Sequence, residues 1–122
     1  RASPITLVPA QGAGTVIEFV SGMLFLDAAG GAYTESADNL IFRYVDGSGL
    51  VVCDDIECTG FIDQADEMAT TISAKINAIA TDAQCVNQPL VIHGSGNGEF
   101  GGGNSANDLL VKVGYRVHAS GF

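Results

Sequence analysis

The chain has 122 residues and a formal net charge of -9, with only five Lys and Arg residues. A chain of this length can bury about two-thirds of its surface around one core without disulfides or metals, so we expect a single domain. Its few cations cannot neutralise nucleic-acid phosphates or hold an anionic membrane surface. The composition therefore predicts no nucleic-acid partner and no membrane partner.

The sequence has three cysteines, Cys53, Cys58 and Cys85, an odd number without CxxC spacing. This pattern indicates reduced thiols rather than a disulfide framework or a zinc site, although a pair between Cys58 and Cys85 stays open. The opening RASPITL shows no secretory signal, and Glu18 interrupts the longest apolar run, which is too short to cross a bilayer. We expect synthesis in a reducing compartment.

Residues 1–13 hold two prolines around the run ITLV, a pattern typical of an extended arm or an edge strand. This segment can pair within its own sheet or with a neighbouring subunit. Residues 14–27, GTVIEFVSGMLFLD, then predict one long strand with a bulge at Ser21-Gly22. Side chains alternate along a strand, so one face holds Val16, Val20, Leu24 and Leu26, and the other holds Ile17, Phe19, Met23 and Phe25. Because both faces are apolar, one must be covered by a partner sheet and the other by a loop, an arm or a neighbouring subunit.

The middle of the chain predicts a loop, a strand and a hairpin. Residues 28–38 are rich in turn formers, and residues 39–46 alternate as a strand. The sequence Asp46-Gly47-Ser48-Gly49 suits a tight turn, after which residues 50–53 are predicted to return as the partner strand.

The next segments are helical or ambiguous. Residues 59–67 begin with polar and acidic positions that suit a short helix. Residues 68–80 fit both helical and strand spacing, and we favour a short helix followed by a strand, because Thr70-Thr71-Ile72-Ser73 has high strand propensity.

The C-terminal part predicts a polar connection over residues 81–88, an apolar strand over 90–93 and a glycine loop over 94–104. Residues 109–118 alternate most regularly, with odd-numbered positions from Leu109 to Val117 facing the core and even-numbered positions facing solvent. We predict an all-β protein, an antiparallel β-sandwich of jelly-roll-like type with at most one or two short helices. Residues 1–13 form its arm or edge strand, and residues 14–122 form its single domain.

Gly96-Asn97-Gly98-Glu99-Phe100-Gly101 matches the GxGxxG pattern of dinucleotide-binding turns. Such a turn must open a helix whose N-terminal amides hold the pyrophosphate. Here the motif continues as a glycine loop into an alternating strand, so we interpret it as a hairpin connection. We expect no cofactor.

Other polar residues could carry chemistry but lack its usual spacing. The acidic residues between 54 and 67 do not follow the ligand pattern of a calcium loop and are typical of a solvated rim. His93 and His118 have no HxH or HExxH partner, and no cysteine lies in a recognisable nucleophile turn with His93 as its base. The sequence therefore predicts no catalytic residue and no metal site. The acidic residues in question are Asp54, Asp55, Glu57, Asp63, Asp66 and Glu67.

Four segments together cover most of the chain: the opening PITLVPAQGAGTVIEF, the middle FLDAAGGAYTESADNLIFRYVDGSG, the turn TGFIDQADE and the close from PLVIHGSG to VKVGYRVH. In these strands and turns the chain resembles small virion proteins of tailed bacteriophages. The resemblance implies a β-sandwich structural protein, not an enzyme, that decorates and cements the capsid exterior. Its partners would be the major capsid protein of the same phage and further copies of itself, with a trimer favoured over a dimer. It would be assembled in the bacterial host cytoplasm and located on the capsid surface of the virion.

We expect the interface to combine the arm with one face of the long strand. Residues 1–10 would extend onto a neighbouring subunit or the capsid shell, and the outward face of the strand would meet a partner. The residues predicted for this interface are Ile5, Leu7, Val8, Ile17, Phe19, Met23 and Phe25.

Two other functions are open. A phage tail or fibre module that binds host-surface glycan would present loop aromatics around Tyr33 and Phe100. A small hydrolase would need one hyper-reactive thiol or an acidic site.

Overall fold

A computed structural model describes residues 3–35, 38–76, 78–96 and 99–121. Eight strands and one short helix form its regular structure. In chain order these are β1 (Ile5–Val8), β2 (Thr15–Asp27), β3 (Tyr33–Thr34), β4 (Leu40–Tyr44), β5 (Met68–Ser73), α1 (Asp82–Cys85), β6 (Leu90–Gly94), β7 (Gly101–Gly102) and β8 (Asp108–Ala119).

Six of these strands form two three-stranded antiparallel sheets that share one core, and β3 and β7 pair as a separate two-stranded ribbon. The first sheet has the order β1-β6-β4, and the second has the order β5-β2-β8. Phe19 of the second sheet meets Phe42 of the first edge to face, with ring centroids 5.2 Å apart. The hydroxyl of Tyr44 donates a hydrogen bond across the layers to the carbonyl oxygen of Ile17. The predicted all-β antiparallel sandwich is confirmed, whereas a jelly roll, with its eight strands in two Greek keys, is not.

One side of the sandwich is closed by the segment that follows β4. Val52 donates a backbone hydrogen bond to Phe42 (3.0 Å) and accepts one from Lys75 (2.8 Å), just beyond β5. Cys53 likewise forms a bridge with Ala74. Residues 50–53 thus return beside β4 as predicted, but they pair through isolated bridges and do not form the predicted partner strand. This return joins the two sheets at that side. On the opposite side, β1 and β8 are the outermost strands of their sheets.

The N-terminal segment pairs within its own sheet. Ile5 lies opposite Ile92 of β6, and Thr6 lies opposite Val91. The sequence left open whether this segment pairs within its own sheet or with a neighbouring subunit. In the structure it is an edge strand of its own sheet. Val8, the last residue of β1, is buried in the core.

A bulge in β2 decides which side chains face the core. The pairing with β8 shifts between Phe19 and Ser21, so Val20 is an extra residue without an opposite partner. Ile17 and Phe19 are buried before the bulge, whereas Leu24 and Leu26 are buried after it. The predicted bulge is confirmed within two positions. The predicted faces are wrong, because an inserted residue moves every later side chain to the opposite face.

Two local predictions, for residues 59–67 and for residues 68–80, need correction. Residues 59–67 do not form the predicted helix. They form a turn in which the amides of Phe61 and Ile62 both donate to the carbonyl oxygen of Cys58, at 3.0 and 2.9 Å. Phe61 and Ile62, which lie in this turn, are both buried in the core. The ambiguous segment 68–80 forms strand β5 at its start, without a preceding helix.

The polar connection predicted over residues 81–88 contains the short helix α1. Thr81 and Gln84 form a capping box at its start, and the backbone amide of Thr81 donates to Oε1 of Gln84 at 2.9 Å. The pattern T-x-x-Q is the signal for this helix in the sequence.

The alternation of β8 is confirmed, but its burial is less complete than predicted. Leu109, Val111 and Val113 are half-buried against the core, while Tyr115 and Val117 are exposed. Their partners on β2, Phe19 and Ile17, are buried, so this exposure goes with the edge position of β8 in its sheet.

Candidate functional site: the outward face of the second sheet

The face of the second sheet that points away from the core carries a group of apolar side chains. Phe25 of β2 lies opposite Leu110 of β8, and Met23 lies beside them on the same face. Leu110 keeps 56% of its surface exposed, Met23 and Val20 are exposed, and Phe25 is half-buried. We call these four residues, Val20, Met23, Phe25 and Leu110, the outer patch.

One cation is placed within the outer patch. Lys112 lies opposite Met23, and its Nζ is 5.1 Å from the centroid of the Phe25 ring. A cation over an aromatic face is attracted by the ring quadrupole, so the alkyl chain of Lys112 covers apolar surface while its charge stays at the rim. The patch thus combines apolar contact area with one directed positive charge.

A shallow hollow of about 680 Å3 lies at the end of the outer patch. Its floor includes Phe25, Ala69 and Leu110, and its rim includes the carboxylates of Asp27 and Asp108. These two carboxylates lie directly opposite each other on β2 and β8. Like charges in this position repel, so this end of the sheet favours a cationic neighbour.

At the other end of the same face, a carboxylate is paired with basic side chains instead of facing a second carboxylate. Glu18 accepts a hydrogen bond from Nε2 of His118 at 2.7 Å and lies 3.5 Å from Nη1 of Arg116. The hydrogen bond with His118, assisted by the charge of Arg116, holds the pKa of the Glu18 carboxyl below its ordinary value. Two basic side chains thus surround one carboxylate at this end.

An apolar cleft of about 260 Å3 lies between the outermost strands β1 and β8. Ile5 and Leu7 line it from β1, and Leu109 and Val111 line it from β8. It opens on the side of the sandwich that residues 50–56 do not close. The apolar lining continues with Tyr33, Leu40, Ile62, Ile92 and Phe100.

The seven residues predicted for an interface fall into three places. Val8, Ile17 and Phe19 are buried in the core and form no outward surface, because of the pairing of β1 and the bulge in β2. Met23 and Phe25 lie on the outer patch. Ile5 is exposed at the rim of the cleft, and Leu7 is half-buried inside it. Sequence reasoning omitted Val20 and Leu110, although the alternation of β8 already placed Leu110 outward.

The three cysteines are free thiols. Burial raises the pKa of Cys58 to about 11 and also raises the pKa of Cys53 and of Cys85. Cys58 donates from Sγ to the carbonyl oxygen of Ile56 at 3.6 Å, and Sγ of Cys53 accepts from the amide of Phe42 at 3.2 Å. These surroundings stabilise the neutral thiols and disfavour the nucleophilic thiolate.

His93 is buried in β6, packed under the turn that follows β4. A Cβ atom at Gly47 would lie 2.6 Å from Nε2 of His93, so this turn needs glycine for its close approach to the ring. Nδ1 of His93 is hydrogen-bonded to the carbonyl oxygen of Gly94. The position of His93 is that of a packed core residue beside a tight turn.

Among the residues that the structure describes, no three His, Cys, Asp or Glu side chains are grouped so that they could hold a metal ion. Two of the acidic residues of the 54–67 segment, Glu57 and Asp63, instead accept hydrogen bonds within local turns. Glu57 accepts the amide of Thr59 at 3.0 Å, and Asp63 accepts the amide of Gly60 at 2.7 Å. These bonds are typical of side-chain turn caps.

Part of the glycine motif lies in a small ribbon. Gly101 and Gly102 form β7, which pairs with Tyr33 and Thr34 of β3. Residues 97 and 98 of the motif lie outside the described residues. The chain continues from β7 through a turn into β8, which is the order of a strand connection and not of a phosphate-binding turn that opens a helix.

A comparison of the chain with known protein families, characterised proteins and solved structures finds no match. Across the described ranges, no helix has the length and apolar character needed to cross a membrane.

Proposed function

We propose that this chain is a structural virion protein of a tailed bacteriophage that decorates and cements the capsid exterior. Its contacts are with the major capsid protein of the phage and with copies of itself. The observation that carries the proposal is the outer patch, where the middle of the second sheet exposes adjacent apolar side chains. Apolar groups clustered on a sheet face mark a contact with another surface, whereas single scattered ones do not.

The fold supports a function through surfaces. The core is completed by residues of both sheets, with Phe19 and Phe42 in contact, so the outer patch is not needed to hold the two sheets together. A half-buried sheet normally places polar side chains on its outer face. In this sheet Met23, Phe25 and Leu110 occupy those outer positions, and their burial against a partner would stabilise an assembly by the hydrophobic effect.

The charge of the chain fits the capsid exterior better than its interior. A protein that binds packaged DNA gains affinity by releasing counterions from phosphates, which requires many cations. With 14 acidic residues and five Lys and Arg residues, this chain would be repelled by packaged DNA. A protein on the outside of the shell does not have to bind DNA, so the negative charge is no obstacle there. The sequence resemblance to small virion proteins supports the same location.

The experiment measures binding to capsid shells of the phage that encodes the chain, produced without this protein. Purified protein is mixed with the shells, and the bound fraction is measured by sedimentation. We expect the wild type to bind and the Met23→Glu and Leu110→Glu variants to lose at least tenfold in affinity. The matched control is Ala83→Glu, which adds the same charge at an exposed position of α1, outside the outer patch. Equal binding by all four proteins would contradict the proposal.

The two loop aromatics on which the glycan-binding alternative depends, Tyr33 and Phe100, are only partly exposed. Tyr33 is half-buried, and its hydroxyl donates to the carbonyl oxygen of Asn107 at 3.3 Å. Phe100 is also half-buried and lines the apolar cleft. Both rings are therefore occupied by contacts within the chain, and we propose no second function.

A further inference from the structure

Strand β8 has a long open edge. Its 12 residues pair with β2 on one side, and no other strand of the described residues pairs with its second side. The amide of Ser120 donates to the carbonyl oxygen of Gly14, the residue directly opposite it, at 2.7 Å. Opposite residues that bond in this way alternate along an antiparallel ladder, so even-numbered residues of β8 direct their backbone groups to β2. The backbone groups that point to the open edge belong to Leu109, Val111, Val113, Tyr115 and Val117.

These odd-numbered residues also carry the apolar side chains of β8. Tyr115 and Val117 keep 44% and 45% of their surface exposed, although the residues opposite them on β2, Phe19 and Ile17, are buried. A strand added to the open edge would therefore gain both backbone hydrogen bonds and apolar neighbours. An exposed edge with these two properties is a template for pairing with another chain.

The charges along β8 indicate a second copy of this chain as the added strand. The start of β8 is acidic, where Asp108 lies opposite Asp27 of β2. The end of β8 is basic, where Arg116 and His118 surround Glu18. If two copies of β8 run antiparallel, the acidic start of each strand lies beside the basic end of the other.

The same charges favour a two-fold axis at Val113 over axes at its neighbours Lys112 and Gly114. With the two-fold axis at Val113, Asp108 of each copy lies opposite His118 of the other, and Lys112 lies opposite Gly114. An axis at Lys112 would place Lys112 opposite itself, and an axis at Gly114 would place Lys112 opposite Arg116. Like charges directly opposite each other destabilise a strand pair, so both of these registers are disfavoured.

The register centred on Val113 also matches apolar side chains along the core side. Leu109 of one copy lies opposite Val117 of the other, and Val111 lies opposite Tyr115. The exposed Tyr115 and Val117 thereby gain apolar neighbours, and the two Val113 residues exchange a pair of backbone hydrogen bonds at the axis.

We propose that two copies of this chain pair through β8 about a two-fold axis at Val113. The two second sheets then join into one six-stranded antiparallel sheet with the order β5-β2-β8-β8-β2-β5. The contact is isologous, so it closes at two copies. It lies at the edge of the sheet and does not depend on the outer patch or on a capsid, so it can be tested independently of the proposed capsid contact.

The first test blocks the edge without changing the inner ladder. Val113→Pro removes an N–H that points away from β2, a position where an edge strand tolerates proline. Val113→Thr keeps that N–H and the β-branched shape, and is the matched control. By sedimentation velocity of the purified protein without capsids, we expect a dimer for the wild type and for Val113→Thr. We expect at least tenfold weaker dimerisation for Val113→Pro, whose fold is checked by circular dichroism.

The second test uses charge and remains decisive if the proline variant does not fold. Asp108→Lys places a cation opposite His118 of the other copy, while it relieves the repulsion between Asp108 and Asp27 within one chain. We expect this variant to fold at least as stably as the wild type and to dimerise several-fold more weakly. Adding His118→Asp should restore dimerisation, because the introduced carboxylate then lies opposite the introduced ammonium group. A wild type that is monomeric or trimeric, or a dimer that Asp108→Lys leaves unchanged, would overturn the proposal.

Discussion

Replacing Ile17 by Ala tests the bulge in β2, which decides what this protein presents to its surroundings. Uninterrupted alternation would place Ile17 and Met23 on the same face of the strand. In the structure Ile17 is 1% exposed in the core, and Met23 is 36% exposed on the outer patch. The register shift at Val20 alone accounts for this difference. Matched truncations at the two positions should therefore give different losses of stability.

The size of the difference follows from burial. An Ile-to-Ala change in a packed core costs about 2–5 kcal/mol, because it removes buried methyl groups and leaves a cavity. Substitutions at exposed positions usually change stability by less than about 0.5 kcal/mol, and Met23, which is partly covered, should lose less than about 1 kcal/mol. Unfolding entropy is about 2.1 cal/mol/K per residue, so for a chain of this length each 1 kcal/mol lowers Tm by about 4 °C. We expect Ile17→Ala to lower Tm by about 8–20 °C and Met23→Ala to lower it by less than about 4 °C.

The measurement is urea unfolding followed by circular dichroism, with thermal unfolding as a second readout. The midpoint urea concentration of Ile17→Ala should fall clearly, and its m-value should stay near that of the wild type, since the same fold is lost. Val20→Ala, at the bulge itself, should behave like Met23→Ala because Val20 is also exposed. Equal losses for Ile17→Ala and Met23→Ala would refute the register shift and, with it, the outer patch.

Three further predictions concern single polar or thiol groups. Tyr44→Phe should cost about 1–3 kcal/mol, because the buried carbonyl of Ile17 loses its hydrogen-bond donor. Burial raises the pKa of Tyr44 to about 12, so the contribution of its neutral hydroxyl to stability is complete below pH 10 and should be lost as the pH rises from 10 to 12. In the Phe variant this pH dependence is absent, which urea unfolding at each pH can measure. Cys85 is half-buried, whereas Cys58 is fully buried. A thiol reagent should therefore modify Cys85 in the native protein, and it should modify Cys58 only at the rate of unfolding. Mass spectrometry of labelled peptides distinguishes the two sites. Because the pKa of Glu18 is lowered, its contribution to stability is present above pH 4.5 and is lost as the pH falls below that value. Glu18→Gln should therefore make the unfolding midpoint less sensitive to pH below 4.5.

Patterns within one strand were readable from the sequence. The alternation of β8 correctly placed Leu110 and Lys112 outward, and the glycine turn after β4 correctly predicted the return of residues 50–53. Such signals are local, since side-chain alternation and turn conformation depend on a few neighbouring residues. The order of strands in the two sheets depends on distant pairings and could not be read in this way.

The bulge in β2 shows why the candidate surface was only half predicted. Ser21-Gly22 indicated an irregularity, but the shift falls at Val20, because the position is decided by how Phe19 and Ser21 pair with β8. A one-residue displacement of that kind exchanges the buried and exposed faces. Met23 and Phe25 were therefore correctly predicted to be outward, while Ile17 and Phe19 were not.

The segments around β5 show a different limit. The acidic start of residues 59–67 resembles a helix start, yet these residues form a turn that buries Phe61 and Ile62 in the core. By contrast, the capping box of α1 was present in the sequence at Thr81 and Gln84 and could have been found. Tertiary packing determined the first case, and local capping was sufficient for the second.

The central claim, that this chain acts as a contact protein on the outside of a phage capsid, is tested most directly by imaging. Particles assembled with and without the chain are compared by electron cryomicroscopy, and the two maps are subtracted. We predict difference density on the outer capsid surface, with the second sheet facing the shell through Met23, Phe25 and Leu110. Difference density confined to the tail, or none on the particle, would contradict the claim.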